Sequence, residues 1–209
     1  LEFRRVLFSG PEGIKINSGS GIGVYHNTVN LATTLGAAGS LTSAAFGVGS
    51  GVTNAGALDV RNNIFVNTSS TAPTTAYAIY SASANTIFSN INNNDYYVPS
   101  GSNLGYLGSN RTTLANIQTG FGGNANSVSI QPVFRSATDL HLNLASNLSL
   151  DNLGTPIAAV TTDIDGETRS ASTPDMGADE FTTAYCDGST AFGSSPIVTP
   201  ATAICAPAN

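Results

Sequence analysis

The chain has 209 residues, only 10% of them charged, and 13 acidic against 7 basic side chains give a net charge of -6. That balance works against a phosphate backbone or an anionic membrane as partner. There is no run of 18 apolar residues, so a spanning helix is excluded as well.

In chain order, a strand is expected at residues 5–8, then a turn at 9–13 and a second strand at Ile14, Lys15 and Ile16. Gly19, Gly21 and Gly23 supply bends before the unit Val24-Tyr25-His26-Asn27-Thr28-Val29-Asn30-Leu31. Residues 31–52, rich in Ala, Gly, Ser and Thr, read as a wide loop or loosely patterned strand. The unit then returns as Val60-Arg61-Asn62-Asn63-Ile64-Phe65-Val66-Asn67, with Leu58, Val60, Ile64 and Val66 expected inward. A loop at 68–75 and strands at 76–80 and 86–88 lead to Ile91-Asn92-Asn93-Asn94-Asp95-Tyr96-Tyr97-Val98. Residues 99–103 break the pattern. Residues 113–119 permit one helical turn, and strands are expected again at 128–130 and 140–144.

Asn27, Asn63 and Asn94 recur at intervals of 36 and 31 residues. Runs this short cannot bury an apolar face alone, so the copies must stack, each at about 4.8 Å from the next. Asparagine suits the corners, because it tolerates a left-handed backbone and its amide both donates to and accepts from the next one. The expectation is an all-β chain, a right-handed parallel β-helix over residues 1–160. A closing cap follows at 161–182, and a tail or linker at 183–209. Cys186 and Cys205 lie in that tail, and a disulfide between them would contribute roughly 3 kcal/mol by loop closure. Two free thiols are the alternative.

The chain contains Ile130-Gln131-Pro132-Val133-Phe134, Thr138-Asp139-Leu140-His141-Leu142 and Ser149-Leu150-Asp151-Asn152-Leu153-Gly154. After them come Asp163-Ile164-Asp165-Gly166-Glu167-Thr168-Arg169 and Pro174-Asp175-Met176-Gly177-Ala178-Asp179-Glu180-Phe181. Together these segments resemble the closing part of secreted bacterial right-handed parallel β-helix repeat proteins, with its Asp-x-Asp-Gly-x-x-Arg and Pro-Asp-x-Gly-Ala-x-Glu elements. The resemblance implies an extracellular or cell-surface protein, often modular, and no single reaction. The chain begins at Leu1 and reads as part of a longer polypeptide.

Arg169 among the closing carboxylates is expected to pair with Asp175 and Glu180 and pin the cap onto the last coil. Calcium held by Asp163 and Asp165 is the sharper alternative, although their spacing does not fit an EF-hand. A lyase would need carboxylates and a base on one face, and Asp59, Arg61 and Asp95 are the residues that could supply them. Alternation places Asp59 and Arg61 together, outward, as an ordinary ion pair. His26 stands in the place of a corner asparagine, and His141 reads as structural. Of the tyrosines, Tyr25, Tyr77, Tyr80, Tyr96, Tyr97 and Tyr106 either pack loops onto the coil or offer rings to a sugar. The residues thus point to a non-catalytic structural or adhesive segment, its partner a polysaccharide or a neighbouring surface protein. A polysaccharide lyase or hydrolase is the alternative.

Overall fold

The computed structural model describes residues 12–32, 42–69, 75–99 and 103–181. The strand expected at 5–8 and both cysteines, Cys186 and Cys205, fall outside these residues.

The chain makes three similar passes, and each lays one strand into each of three sheets. The first pass is β1 (Glu12–Ser18), β2 (Ile22–Tyr25) and β3 (Thr28–Leu31). The second is β4 (Thr42–Gly51), β5 (Leu58–Arg61) and β6 (Ile64–Asn67), and the third is β7 (Thr75–Ser81), β8 (Phe88–Asn92) and β9 (Asp95–Tyr97). Pairing is parallel in β1-β4-β7, β2-β5-β8 and β3-β6-β9. β10 (Gly105–Leu107) adds to β7 in parallel. Gly108 then takes a positive φ of 67° and the chain reverses, so β11 (Ser109–Arg111) pairs with β10 antiparallel.

The expectation of a right-handed parallel β-helix over residues 1–160 is therefore corrected. The five-stranded sheet is mixed parallel and antiparallel, an α-helix follows the sheets, and residues 122–181 contain isolated bridges and short 3₁₀ turns in place of strands. The strands expected at 128–130 and 140–144 reduce to single bridges, Asp95 with Val128 and Phe134 with Leu142. The helix, α1 (Leu114–Phe121), is longer than the single turn expected. The Thr113 side chain accepts from Asn116 N at its start, Gly122 closes it in the left-handed region, and Ile117 and Phe121, one turn apart, are buried.

Residues 42–51, within the stretch read as a wide loop or loosely patterned strand, form a strand of ten residues. Their small side chains give little β signal, but β4 is paired on both edges and is buried from Ser43 to Val48.

Two cores divide the strand faces. The inner one holds Val24, Val29, Leu31, Phe46, Leu58, Val60, Phe65, Ile79, Ile91 and Tyr96. Phe65 stacks between Phe46 and Tyr96, at centroid distances of 5.1 and 6.1 Å, and burying such a ring contributes about 2–3 kcal/mol. The second core holds Ile64, Val66, Leu142, Leu150, Met176 and Phe181. Ile64 and Val66 thus face the opposite way from the expectation. The cause is the Asn62-Asn63 corner, whose left-handed Asn62 (φ 59°) shifts the alternation, so that Phe65 points inward. The third sheet is covered on both faces because residues 128–181 lie over it.

This placement also corrects the cap. Gly177 N donates to Asn62 O at 2.8 Å, and Ala178 N to Thr28 Oγ1 at 2.9 Å, so the closing segment meets the first and second passes instead of ending the last one. A Cβ at Gly177 would come within 2.6 Å of Thr28 Oγ1 and 2.8 Å of Ile64 Cδ1, and its φ of 89° disfavours any other residue.

Candidate metal centre

Each corner divides its work between two residues. The first, His26, Asn62 or Asn93, takes the left-handed conformation with φ between 51° and 59°. The second, Asn27, Asn63 or Asn94, is fully buried and forms the rung. Asn27 Nδ2 and N both donate to Asn63 Oδ1, at 2.9 and 3.0 Å, and Asn63 repeats this onto Asn94 Oδ1. Asn63 Nδ2 further donates to Val24 O and Arg61 O. Beyond Asn94 the rung is Ser127, whose hydroxyl accepts from Asn94 N and donates to Asn124 Oδ1. A hydroxyl cannot extend an amide ladder, and the series stops there.

The left-handed residues bind the returning chain. Asn62 exchanges two hydrogen bonds with the backbone of Thr155, at 2.7 and 3.0 Å, Asn93 donates to Leu153 O, and Asn62 Nδ2 also donates to His26 Nε2 at 2.8 Å. His26 is buried beside the backbone of Asp175 and Gly177. Burial first, and then the Arg169 charge, lower its pKa to about 3, so the ring is neutral.

Asp59, Arg61 and Asp95, the residues a lyase would need on one face, do not come together. Arg61 holds Asp59 through two contacts of 2.7 Å and lies 5.4 Å from the centroid of the Tyr25 ring, whose hydroxyl donates to the same carboxylate at 2.9 Å. Asp95 lies on a different sheet, in the outward row with Thr28 and Ile64, fully buried under residues 128–130. Its Oδ1 accepts from Ile130 N at 2.9 Å, while Oδ2 has no hydrogen-bond partner, and burial raises its pKa to about 8. The acid is held as a neutral group.

In the closing segment, the Arg169 guanidinium reaches Gly177 O, Ala178 O and Glu180 Oε2 at 3.0–3.1 Å. Glu180 also accepts from Ser170 N and Asp175 N. Asp175 does not pair with Arg169 directly. Its oxygens accept from Asn152 N at 2.6 Å and Phe181 N at 2.7 Å, and burial raises its pKa to about 7 against those two donors.

Calcium at Asp163 and Asp165 is likewise not what the geometry offers. Asp163 is buried, and its oxygens accept from Asp165 N, Glu167 N and Glu180 N at 2.8–3.0 Å, so it shapes the 163–169 turn. Asp165 points away to His141.

Here the structure gathers residues that sequence reasoning kept apart. One donor atom each from His141, Asp165 and Asp179 lies within 4.8 Å of the others, a group that could hold a metal ion. His141 Nε2 is 2.6 Å from Asp165 Oδ2, its Nδ1 is hydrogen-bonded to Asp139 Oδ1, and Asp179 Oδ2 accepts from Leu142 N at 3.1 Å. Burial opposes charge on His141, but the Asp139 and Asp165 hydrogen bonds and the charges of Asp179 and Asp165 outweigh it and raise the pKa. Arg135, Glu167, Glu180 and Phe181 complete the depression. Of the three, Asp165 alone stood among the expected cation ligands, with Asp163 as its partner; Asp165 and Asp179 are 24 and 38 positions beyond His141.

A second surface lies across the outer face of the first sheet. Tyr80 and Tyr106 are register partners, both partly exposed, and stack at 4.8 Å, while buried Tyr77 packs against both. Beside Tyr80 is an open depression lined by Glu12, Lys15 and Asn17. No helix among the described residues is long and apolar enough to cross a membrane. Comparison with protein-family models, with curated proteins and with solved structures found no match.

Proposed function

We propose that the chain is a non-catalytic, structural and adhesive segment of a secreted bacterial surface protein, and that it binds polysaccharide through its tyrosine face. The observation that carries this reading is the stacked pair Tyr80 and Tyr106, partly exposed beside a depression with the hydrogen-bonding groups of Glu12, Lys15 and Asn17. Aromatic faces take up the C–H face of a sugar ring, and neighbouring polar groups select its hydroxyls. The rows beneath are fixed by parallel pairing on three passes, which gives the rings a rigid platform. Asp59 and Arg61 neutralise one another, and Asp95 is enclosed, which further supports binding over turnover. The surface location is supported by the resemblance of the closing elements to secreted bacterial proteins.

The test is retention of the purified chain on immobilised neutral and acidic polysaccharides, with Tyr80→Ala and Tyr106→Ala as variants. Retention that falls at least tenfold in both variants, with the polymers left intact, is expected. Release of unsaturated or reducing oligosaccharides would replace this reading with an enzymatic one, and retention unaffected by either variant would remove the tyrosine face from it.

A further inference from the structure

We infer that His141, Asp165 and Asp179 form a binding site for a divalent first-row cation of the zinc class, independent of the polysaccharide reading. Three features of the geometry carry this. The donor atoms come from three separate segments and converge within 4.8 Å in the lining of a surface depression. Ligand bonds of about 2.0–2.2 Å to imidazole nitrogen and carboxylate oxygen place donors roughly 3–3.6 Å apart, so the 2.6 Å contact of His141 with Asp165 must open slightly and any donor pair near the 4.8 Å limit must draw in by a comparable amount. Asp165, whose side chain is 53% exposed, is free to make that adjustment.

The imidazole is also already oriented. Asp139 engages Nδ1, which leaves Nε2 directed at Asp165, and a carboxylate behind a histidine is the arrangement that fixes a metal ligand's tautomer and direction. Asp139 is thus a positioning residue. Lastly, the charge is right. Asp165, Glu167, Asp179 and Glu180 line the depression, with Arg135 the guanidinium among its lining residues, while Glu180 is engaged by Arg169. A nitrogen donor with two carboxylates favours zinc, cobalt or nickel over calcium or magnesium, which take oxygen ligands in larger number. Water would fill the remaining coordination. When the cation binds Nε2, the short contact of that nitrogen to Asp165 is exchanged for two metal bonds, and one proton leaves the imidazole.

The competing arrangement is a protonated His141 held between Asp139 and Asp165 with no metal affinity. To separate the two, Zn²⁺ and then Co²⁺ are titrated into the full chain carrying Cys186→Ser and Cys205→Ser, which removes thiolate ligands. Calorimetry is expected to give one Zn²⁺ per chain at micromolar affinity, and Co²⁺ a visible ligand-field band. Asp165→Asn and His141→Gln should each weaken binding at least tenfold and remove the band, while Asp139→Asn should weaken binding less and leave the stoichiometry at one. Circular dichroism of each variant without metal confirms that it is folded. Absence of Zn²⁺ binding in the parent, or binding that Asp165→Asn and His141→Gln leave unchanged, overturns the site.

Discussion

The repeated passes and the closing segment solve the same problem, how to fix chain that cannot fix itself, with opposite chemistry. Passes one to three are tied by neutral amides, with Asn27, Asn63 and Asn94 donating and accepting in one line. The closing segment is tied by carboxylates, each gripping particular backbone N–H groups: Asp163 those of residues 165, 167 and 180, Asp175 those of residues 152 and 181, Asp179 that of residue 142. An amide rung can be repeated indefinitely, because each one presents the same groups it consumes. A carboxylate only accepts, so it terminates a pattern and suits a unique closure. The amide ladder itself should therefore be indifferent to pH, and the carboxylate ties of the closing segment sensitive to it.

The largest effect is expected from removing the middle rung. Asn63→Ala strips three donated and two accepted hydrogen bonds from a fully buried position, and stability measured by urea unfolding should fall by about 4 kcal/mol. A loss below about 1 kcal/mol would mean that the amides merely coexist with the packing.

Next come the two buried titrating groups that lie where the regions meet, and they act in opposite directions. Asp95 has its pKa raised to about 8, so the folded state holds its proton more tightly than the unfolded chain. Its contribution is complete below about pH 4 and is lost as pH rises from there through 8. Asp95→Asn should stabilise the protein by about 3 kcal/mol at pH 8 and change little at pH 4, read from thermal unfolding at both. His26, lowered to about 3, does the reverse: the unfolded chain takes up the proton first, and stability is lost as pH falls from about 6.5 towards 3. His26→Asn places at the left-handed corner the residue that both later corners carry, and should recover about 2 kcal/mol at pH 4 with little change at pH 8. If either variant kept the parent's pH profile, the assigned group would not be the one that titrates.

The smallest of the set belongs to the closing region. Arg169→Lys retains the charge but cannot span Gly177 O, Ala178 O and Glu180 together, and a loss of about 1–2 kcal/mol is expected in the same unfolding assay.

What could be read from the chain follows the same division. Asn27, Asn63 and Asn94 stood out because an amide rung must be repeated to work, and the repetition is visible as spacing. The split within each corner was not visible, since Asn62 and Asn93 are the same residue type as the rungs beside them. Ile64 and Val66 were turned the wrong way because a strand buried on both faces shows no alternation, and what covers its far side comes from residues 128–181. β4 was legible only as a wide loop or a loosely patterned strand, because Ala, Gly and Ser carry little pattern of their own. Asp95 looked like a surface acid, and nothing near it in sequence says that Ile130 will close over it. The Arg169 cluster was readable as a cluster, with Glu180 among the expected partners, but the backbone carbonyls of Gly177 and Ala178 that it meets in place of Asp175 depend on how the turn folds. His141, Asp165 and Asp179 are joined by tertiary structure alone.

The most direct test of the ladder is to change its chemistry and keep its shape. Asn63→Asp retains the acceptor oxygens but sets a carboxylate where an amide now donates to Val24 O, Arg61 O and Asn94 Oδ1. Its stability relative to the parent, followed by urea unfolding from pH 4 to 8, should be lowest at pH 8 and recover steadily as the new acid is protonated. A variant that tracks the parent at every pH would contradict the account, because the amide donors of Asn63 would then not be what binds one pass to the next.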